Sequence, residues 1–282
     1  MKMTQARVLL TGASGGIGAA TARELLMRGA SVLLNGRNEV LLRQLQGHLG
    51  HPDRLDICAA DLTDAADRER LCLRARSWHG GINTLINNAG VSELKLFDHC
   101  APDDFERMLA INLIAPMQLC RDLLPHLRPQ PKACIVNVGS VMGALGLPGY
   151  SLYCASKFGL RGFSEALRRE LADSNVHVQY IAPRGTQTPL NSAAVIAMNT
   201  ALGSRMDAPA RVAREIVHLL ERGHARRVIG WPEKLFVRLN QLCPALIDRA
   251  LRRQLPVIKH HATSDRALDI GTAESLSMRK RA

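Results

Sequence analysis

The sequence predicts an α/β chain, a doubly wound parallel sheet of about seven strands with helices on both faces, followed by a C-terminal helical appendage. Three observations carry that expectation. Short β-rich runs alternate with longer helical patterns up to about residue 230. A glycine-rich turn, TGASGGIG at residues 11–18, stands between the first strand and the first helix. The chain has 282 residues, 46% of them hydrophobic, which suits one large α/β domain better than two ordinary ones. The expected division is therefore a main domain at 1–230 and an amphipathic extension with a basic tail at 231–282.

The strands are expected at 7–10, 31–35, 54–60, 82–87, 133–138, 176–181 and 226–229. Helices should begin near Gly16, Asn38, Asp64, Pro102, Tyr150 and Ala208. In such a sheet the ligand lies beyond the carboxyl ends of the strands, near the point where strand order reverses. Residues 11–18, Arg37, Asp61, 87–90, Ser140 and 183–188 all follow strands in this way. Any one of them is an ordinary turn, since Gly, Asn, Asp and Pro are what such loops need. Their joint placement points to a single crevice. The small, polar stretch at 189–207 reads either as a mobile excursion over that crevice or as a plain surface insertion.

Composition narrows the partners. The formal net charge of +12 suits nucleic acid, an anionic membrane surface, or an anionic cofactor or substrate. An aromatic content of 4% and the lack of zinc-finger or RNA-binding motifs argue against nucleic acid. Seven scattered cysteines without a CxxC pair or metal-ligand spacing read as reduced thiols, and no metal site is indicated. No apolar run approaches the roughly 20 residues needed to cross a bilayer, so the expected location is cytoplasmic.

Gly12, Gly16 and Gly18 form a G-x-x-x-G-x-G pattern where missing side chains let backbone N–H groups approach a pyrophosphate at a helix N-terminus. A dinucleotide is the natural ligand. Further on, Tyr153 and Lys157 stand four residues apart, on one face of a helix, where an ammonium can stabilise a phenolate. That would make Tyr153 a proton donor near neutral pH. By itself the pair reads more readily as a surface contact.

Taken together, residues 12–18, the run Asn87, Asn88, Ala89, Gly90, and Asn112, Ser140, Tyr153 and Lys157 resemble the short-chain dehydrogenase/reductase family over about residues 6–230. The resemblance implies a Rossmann-type subunit, a nicotinamide cofactor, and a catalytic set of Asn112, Ser140, Tyr153 and Lys157. Tyr153 would protonate a carbonyl oxygen as hydride arrives at carbon, and Ser140 would donate a hydrogen bond to that oxygen. Lys157 would lower the phenol pKa and hold the nicotinamide ribose. Asn112 would order water in a proton relay reaching Lys157. The cofactor set would comprise Gly12, Ser14, Gly16, Ile17, Gly18, Arg37, Asp61, Leu62, Asn88, Ala89, Gly90, Tyr153, Lys157, Pro183, Thr186 and Thr188.

The second strand ends in Gly36 and Arg37, without the acid that would bind the ribose 2′-OH of NAD, and arginine accommodates a 2′-phosphate. NADP(H) is thus favoured over NAD(H). Ser14 either touches that phosphate or stabilises its loop, and Asp61 with Leu62 either contacts adenine or, in the case of Asp61, caps a helix. The family's usual Pro-Gly after the sixth strand is here Pro183-Arg184, so Arg184 either meets an anionic substrate group or pairs with a surface carboxylate.

Val141, Met142, Leu147, Tyr150 and Arg184 are the candidate substrate contacts, an otherwise apolar set suited to a lipid-like or acyl carbonyl, although these side chains equally suit a core. The expected function is carbonyl–alcohol interconversion by an NADP(H)-dependent homodimer or homotetramer. The alternative is a cofactor-sensing or membrane-associated binding protein on the same fold. Residues 233–255 carry apolar positions at helical spacing with basic residues between them, and Pro244 should break the helix in two. That arm packs on its own domain or a second subunit, lies on anionic lipid at the inner face of a membrane, or covers the site. The tail after Lys259 is expected to be disordered.

Overall fold

The computed structural model describes residues 1–279, with side chains described through Thr263. Among these residues seven strands make one parallel sheet: β1 (Arg7–Leu10), β2 (Ser31–Gly36), β3 (Leu55–Ala59), β4 (Thr84–Asn87), β5 (Ala133–Val138), β6 (Val176–Ala182) and β7 (Arg226–Val228). Their order is β3-β2-β1-β4-β5-β6-β7, which reverses between β1 and β4. This is the Rossmann-type arrangement, and the reversal opens a crevice above the ends of those two strands.

Side-chain alternation fills both faces of the sheet. Val8 and Leu10 of β1, Val32 and Leu34 of β2, and Val136 of β5 point to one side. There they meet Leu25 and Leu26 of α1 (Gly16–Met27), Leu42 of α2 (Glu39–Leu49), and Ile216, Val217 and Leu220 near the C-terminal end of the main domain. Leu9, Leu33, Leu85 and Ile135 point to the other side. They pack on Leu71 of α3 (Ala65–Ser77) and, after α4 (Pro102–Leu109), on Leu119 and Leu123 of α5 (Ala115–Leu127). The long α6 (Ser151–Glu170) adds Phe163 and Leu167 to this second core.

Local signals start and stop these helices. The Asn38 side chain accepts from the Leu41 N–H at 3.0 Å, and the Asp64 side chain from the Asp67 N–H at 2.8 Å, closing the first turns of α2 and α3. Between α4 and α5 the sequence gives no such signal, because the rod does not end. Instead Ala110–Ile114 widen into a π turn in which the Ala115 N–H reaches the Ala110 carbonyl. The sequence-based expectation of a single helix start near Pro102 missed this turn.

The stretch at 189–207 contains α7 (Ala193–Ala201), started by Ser192, whose hydroxyl accepts from Val195 N–H at 3.3 Å. Ala194 and Met198 are buried, so this segment is packed and not merely an excursion. Next comes α8 (Pro209–Arg222), the source of Ile216, Val217 and Leu220. The arm is α9 (Glu233–Leu242) and α10 (Pro244–Arg279), broken at Pro244 as the sequence indicates. The backbone stays helical to Arg279, against the expected disorder after Lys259, while Lys280, Arg281 and Ala282 lie outside the described residues. No helix among the described residues is long and apolar enough to cross a membrane.

Candidate active site

The first wall of the site is the turn after β1. Gly12 has φ +61°, and a Cβ there would lie 2.7 Å from Ala89 Cα, so glycine is required twice over. The turn is braced from β4. Asn88 Nδ2 donates to the Thr11 and Gly12 carbonyls at 3.0 and 3.1 Å, while Thr11 Oγ1 accepts from the N–H groups of Asn88 and Ala89, each at 3.0 Å. The carboxamide of Asn88 is thereby committed to the cradle itself. At the start of α1, a Cβ on Gly16 would lie 2.9 Å from Thr188 Cγ2, so the bare backbone lets the loop after β6 close over the helix N-terminus.

Gly12, Ser14, Gly16, Ile17, Gly18, Arg37, Asp61, Leu62, Asn88, Ala89, Gly90 and Thr188 all border one crevice of about 400 Å³ above the strand reversal. Arg37 stands exposed at its rim. Burial raises the Asp61 pKa, but hydrogen bonds from Thr63 N–H and Oγ1 at 2.9 and 2.7 Å, helped by the Arg37 charge, outweigh it and hold the carboxyl below its ordinary value. Asp61 closes its own turn in this way, and the cap of α3 is Asp64, not Asp61.

A second crevice of about 360 Å³ adjoins the first, sharing Ile17, Thr188 and Leu190 with it. Ser140, Tyr153, Pro183 and Thr186 border it, as do Val141, Met142, Leu147, Tyr150 and Arg184. The Ser140 hydroxyl lies near enough to the Tyr153 phenol to pull its pKa down, against the larger effect of burial. It also accepts from Met142 N–H at 3.1 Å, and the Tyr180 hydroxyl bonds the Ser140 backbone N–H and carbonyl at 3.4 and 3.3 Å. Serine and tyrosine thus stand together on the wall of the second crevice.

Lys157, one turn along α6 from Tyr153, is buried, and its Nζ donates to the Val138 carbonyl at 3.2 Å. The ammonium lies 5.7 Å from the centroid of the Tyr153 ring. Burial pushes the lysine down to about 8 and the phenol up to about 12. The cation faces the ring and a carbonyl, and burial outweighs the Ser140 contact in setting the phenol's protonation. Tyr153 is therefore held protonated near neutral pH.

Asn112 sits inside the π turn and is fully buried. Its Oδ1 accepts from Val91 N–H at 2.8 Å, and its Nδ2 donates to the Val91 carbonyl at 2.9 Å and to Ser156 Oγ at 3.1 Å. Through these bonds it braces the loop after β4 against α6. Ser156 Oγ in turn donates to the Tyr153 carbonyl at 2.7 Å.

Sequence reasoning missed that brace and a second one, in which Asn87 Nδ2 donates to Asn137 Oδ1 and Asn137 Nδ2 to Ser164 Oγ, both at 2.8 Å. The signal was present in Asn137, a polar residue inside the apolar strand β5, because a buried amide demands partners.

Of the two partners left open for it, Arg184 meets carboxylates, although these are largely buried and not on the surface. Its side chain is 8% exposed and bonds Asp207 at 2.8 Å, Glu233 at 3.3 Å and the Trp231 carbonyl at 3.0 Å. Asp207, 2% exposed, also binds Arg211 at 2.9 Å and pins the loop after β6 through Asp207 N–H to Gly185 carbonyl at 2.8 Å and Gln187 N–H to Asp207 carbonyl at 2.9 Å. The guanidinium is spent on carboxylates of its own chain, and it ties the loop carrying Thr186 and Thr188 to the start of the arm. The arm then closes the second crevice with Phe236, Ile247, Leu251 and Ile258. Of the three roles left open for it, packing on its own domain and covering the site are both realised.

The model of the short chain dehydrogenase family matches residues 6–198. The chain belongs to the short-chain dehydrogenase family. Members are oxidoreductases that interconvert carbonyls and alcohols, and nodulation protein G of Rhizobium meliloti is 40% identical over 182 residues, 64% of this chain and 74% of that protein. The 3-oxoacyl-acyl-carrier-protein reductase of Rickettsia felis is 35% identical over 175 residues, 62% of this chain and 70% of that one. A short-chain dehydrogenase from Sphingobium yanoikuyae, solved in complex with NADPH, superposes with a TM-score of 0.72 at 26% identity, covering 86% of this chain and 95% of that one. The family match ends before α8, so the arm lies outside it.

Proposed function

We propose that this short-chain dehydrogenase is an NADP(H)-dependent reductase of apolar or acyl-like ketones and aldehydes, with Tyr153 as the proton donor. The observation that carries the reading is that Ser140 and Tyr153 stand together on the wall of the second crevice, which adjoins the first. Support for the cofactor comes from the fit of the first crevice, with the N-terminus of α1 beside Gly12 and Gly16 for a pyrophosphate and Arg37 at the rim for a 2′-phosphate. A bound nicotinamide would supply the hydride.

In this reading the Ser140 hydroxyl donates to the substrate oxygen, and Tyr153 passes its proton to that oxygen as negative charge develops. A phenol held protonated suits reduction. Lys157 keeps a positive charge behind the phenol for most molecules at pH 7, and its ammonium is the group that would hold the cofactor's ribose. Asn112 fixes α6, and with it both catalytic side chains, against the loop after β4. The second crevice is walled by Met142, Leu147, Met198, Leu202 and Ile258, which favours an aliphatic chain over a sugar. The proposed assembly is a homodimer or homotetramer formed through the exposed Ile114, Met117 and Phe158 of the π turn, α5 and α6.

The test is NADPH oxidation with a panel of medium- and long-chain ketones and aldehydes. Turnover should fall by about 100-fold or more in Tyr153→Phe, with NADPH affinity unchanged. Binding of NADPH without turnover on any carbonyl would instead make the protein a cofactor-sensing module.

A further inference from the structure

We propose that the corner between α9 and α10 docks the protein on an anionic lipid bilayer. Residues 241–246 are all exposed and include five consecutive apolar residues, Leu242, Cys243, Pro244, Ala245 and Leu246. Leu242 and Leu246 are 79% and 60% exposed, and Trp231, just before α9, is 67% exposed. The arm does not need these side chains for its own packing, because Val237, Ile258 and Ala262 already anchor it to the main domain. An apolar corner of this kind, projecting with nothing over it among the described residues, marks a surface that meets a partner.

Charge selects the partner. Between residues 233 and 259 the arm carries Lys234, Arg238, Arg249, Arg252, Arg253 and Lys259 against Glu233 and Asp248, and Glu233 is already paired with Arg184. Two copies meeting at this corner would bring these cations together. An anionic bilayer takes the apolar corner into its interface and neutralises the arginines on its flanks. The same helices wall the second crevice from the other side, and Phe236, half-exposed, borders its mouth. A lipid-like carbonyl would therefore reach Tyr153 from the surface on which the arm lies.

Docking itself does not rest on the proposed reaction, so it is tested without turnover. Full-length protein is sedimented with vesicles of phosphatidylcholine alone or mixed with phosphatidylglycerol. The expected result is capture by the mixed vesicles, weakened by salt. Binding should fall at least about tenfold in the Leu242→Asp, Leu246→Asp double variant and in Arg249→Glu, Arg253→Glu. Both variants should keep the parent's circular dichroism and its NADPH affinity, since none of these side chains borders either crevice. Equal capture by neutral and mixed vesicles, or none by either, would overturn the proposal. So would variants that bind like the parent, or a leucine variant that dissociates a larger assembly in the absence of lipid, which would make a second copy the occupant.

Discussion

Replacing Lys157 by methionine should stabilise the protein at neutral pH, although the residue belongs to the catalytic cluster. The lysine is 4% exposed, and burial takes its pKa from 10.5 to about 8. Between those values the unfolded chain binds more protons than the folded one, so stability rises with pH across that window. At pH 7 the folded protein holds a charge that burial disfavours, at a cost of roughly 3 kcal/mol, and by pH 10 the unfolded lysine is losing its proton too, which leaves under roughly 1 kcal/mol. Methionine is similar in volume and apolar, and its chief loss is the bond to the Val138 carbonyl, about 1 kcal/mol. Lys157→Met should therefore gain about 2 kcal/mol at pH 7, and the gain should vanish by pH 10. Denaturant unfolding of the purified protein without added cofactor, at both pH values, measures this directly. A variant less stable than its parent at pH 7, or a difference that does not change with pH, would refute the account of Lys157 as a buried, poorly solvated cation.

Two further outcomes test other parts of the site. Arg37→Ala should weaken NADPH by about tenfold or more while leaving NADH within about twofold, measured by fluorescence titration, because the proposed charge-assisted phosphate contact is lost; equal losses would remove the phosphate contact. Arg184→Met should lower stability by about 3 kcal/mol, since Asp207 stays buried with only the half-exposed Arg211 beside it. An unchanged melting temperature would mean that the cluster does not hold the arm.

The sheet was legible because its signals are local. β1 to β6 each follow from a short, mostly apolar run between turn residues, and the glycine turn, Arg37 and the residues 87–90 announce themselves at strand ends. What escaped depends on distant partners. Nothing near Arg184 tells that Asp207 and Glu233 will converge on it, because those contacts join segments 23 and 49 residues away. The burial that sets the protonation of Tyr153 and Lys157 was equally invisible, since spacing along a helix reports which side chains share a face and not how much water reaches them. The tail after Lys259 lacks a strong apolar stripe, and its composition gave no reason to expect that the helix begun at Pro244 would continue through it.

The π turn at Ala110–Ile114 makes chain length itself part of the site. Five residues close a loop where an α-helix would use four, so α4 and α5 are out of phase with one another by about one residue, or roughly 100° of rotation. That offset allows Asn112 to face Val91 and Ser156 while Leu119 and Leu123 of α5 still face the sheet. Loss of one residue here would leave every neighbouring side chain intact and still turn one half of the rod away from its partners. The helix tolerates changes of residue along its outer face more readily than any change in their number.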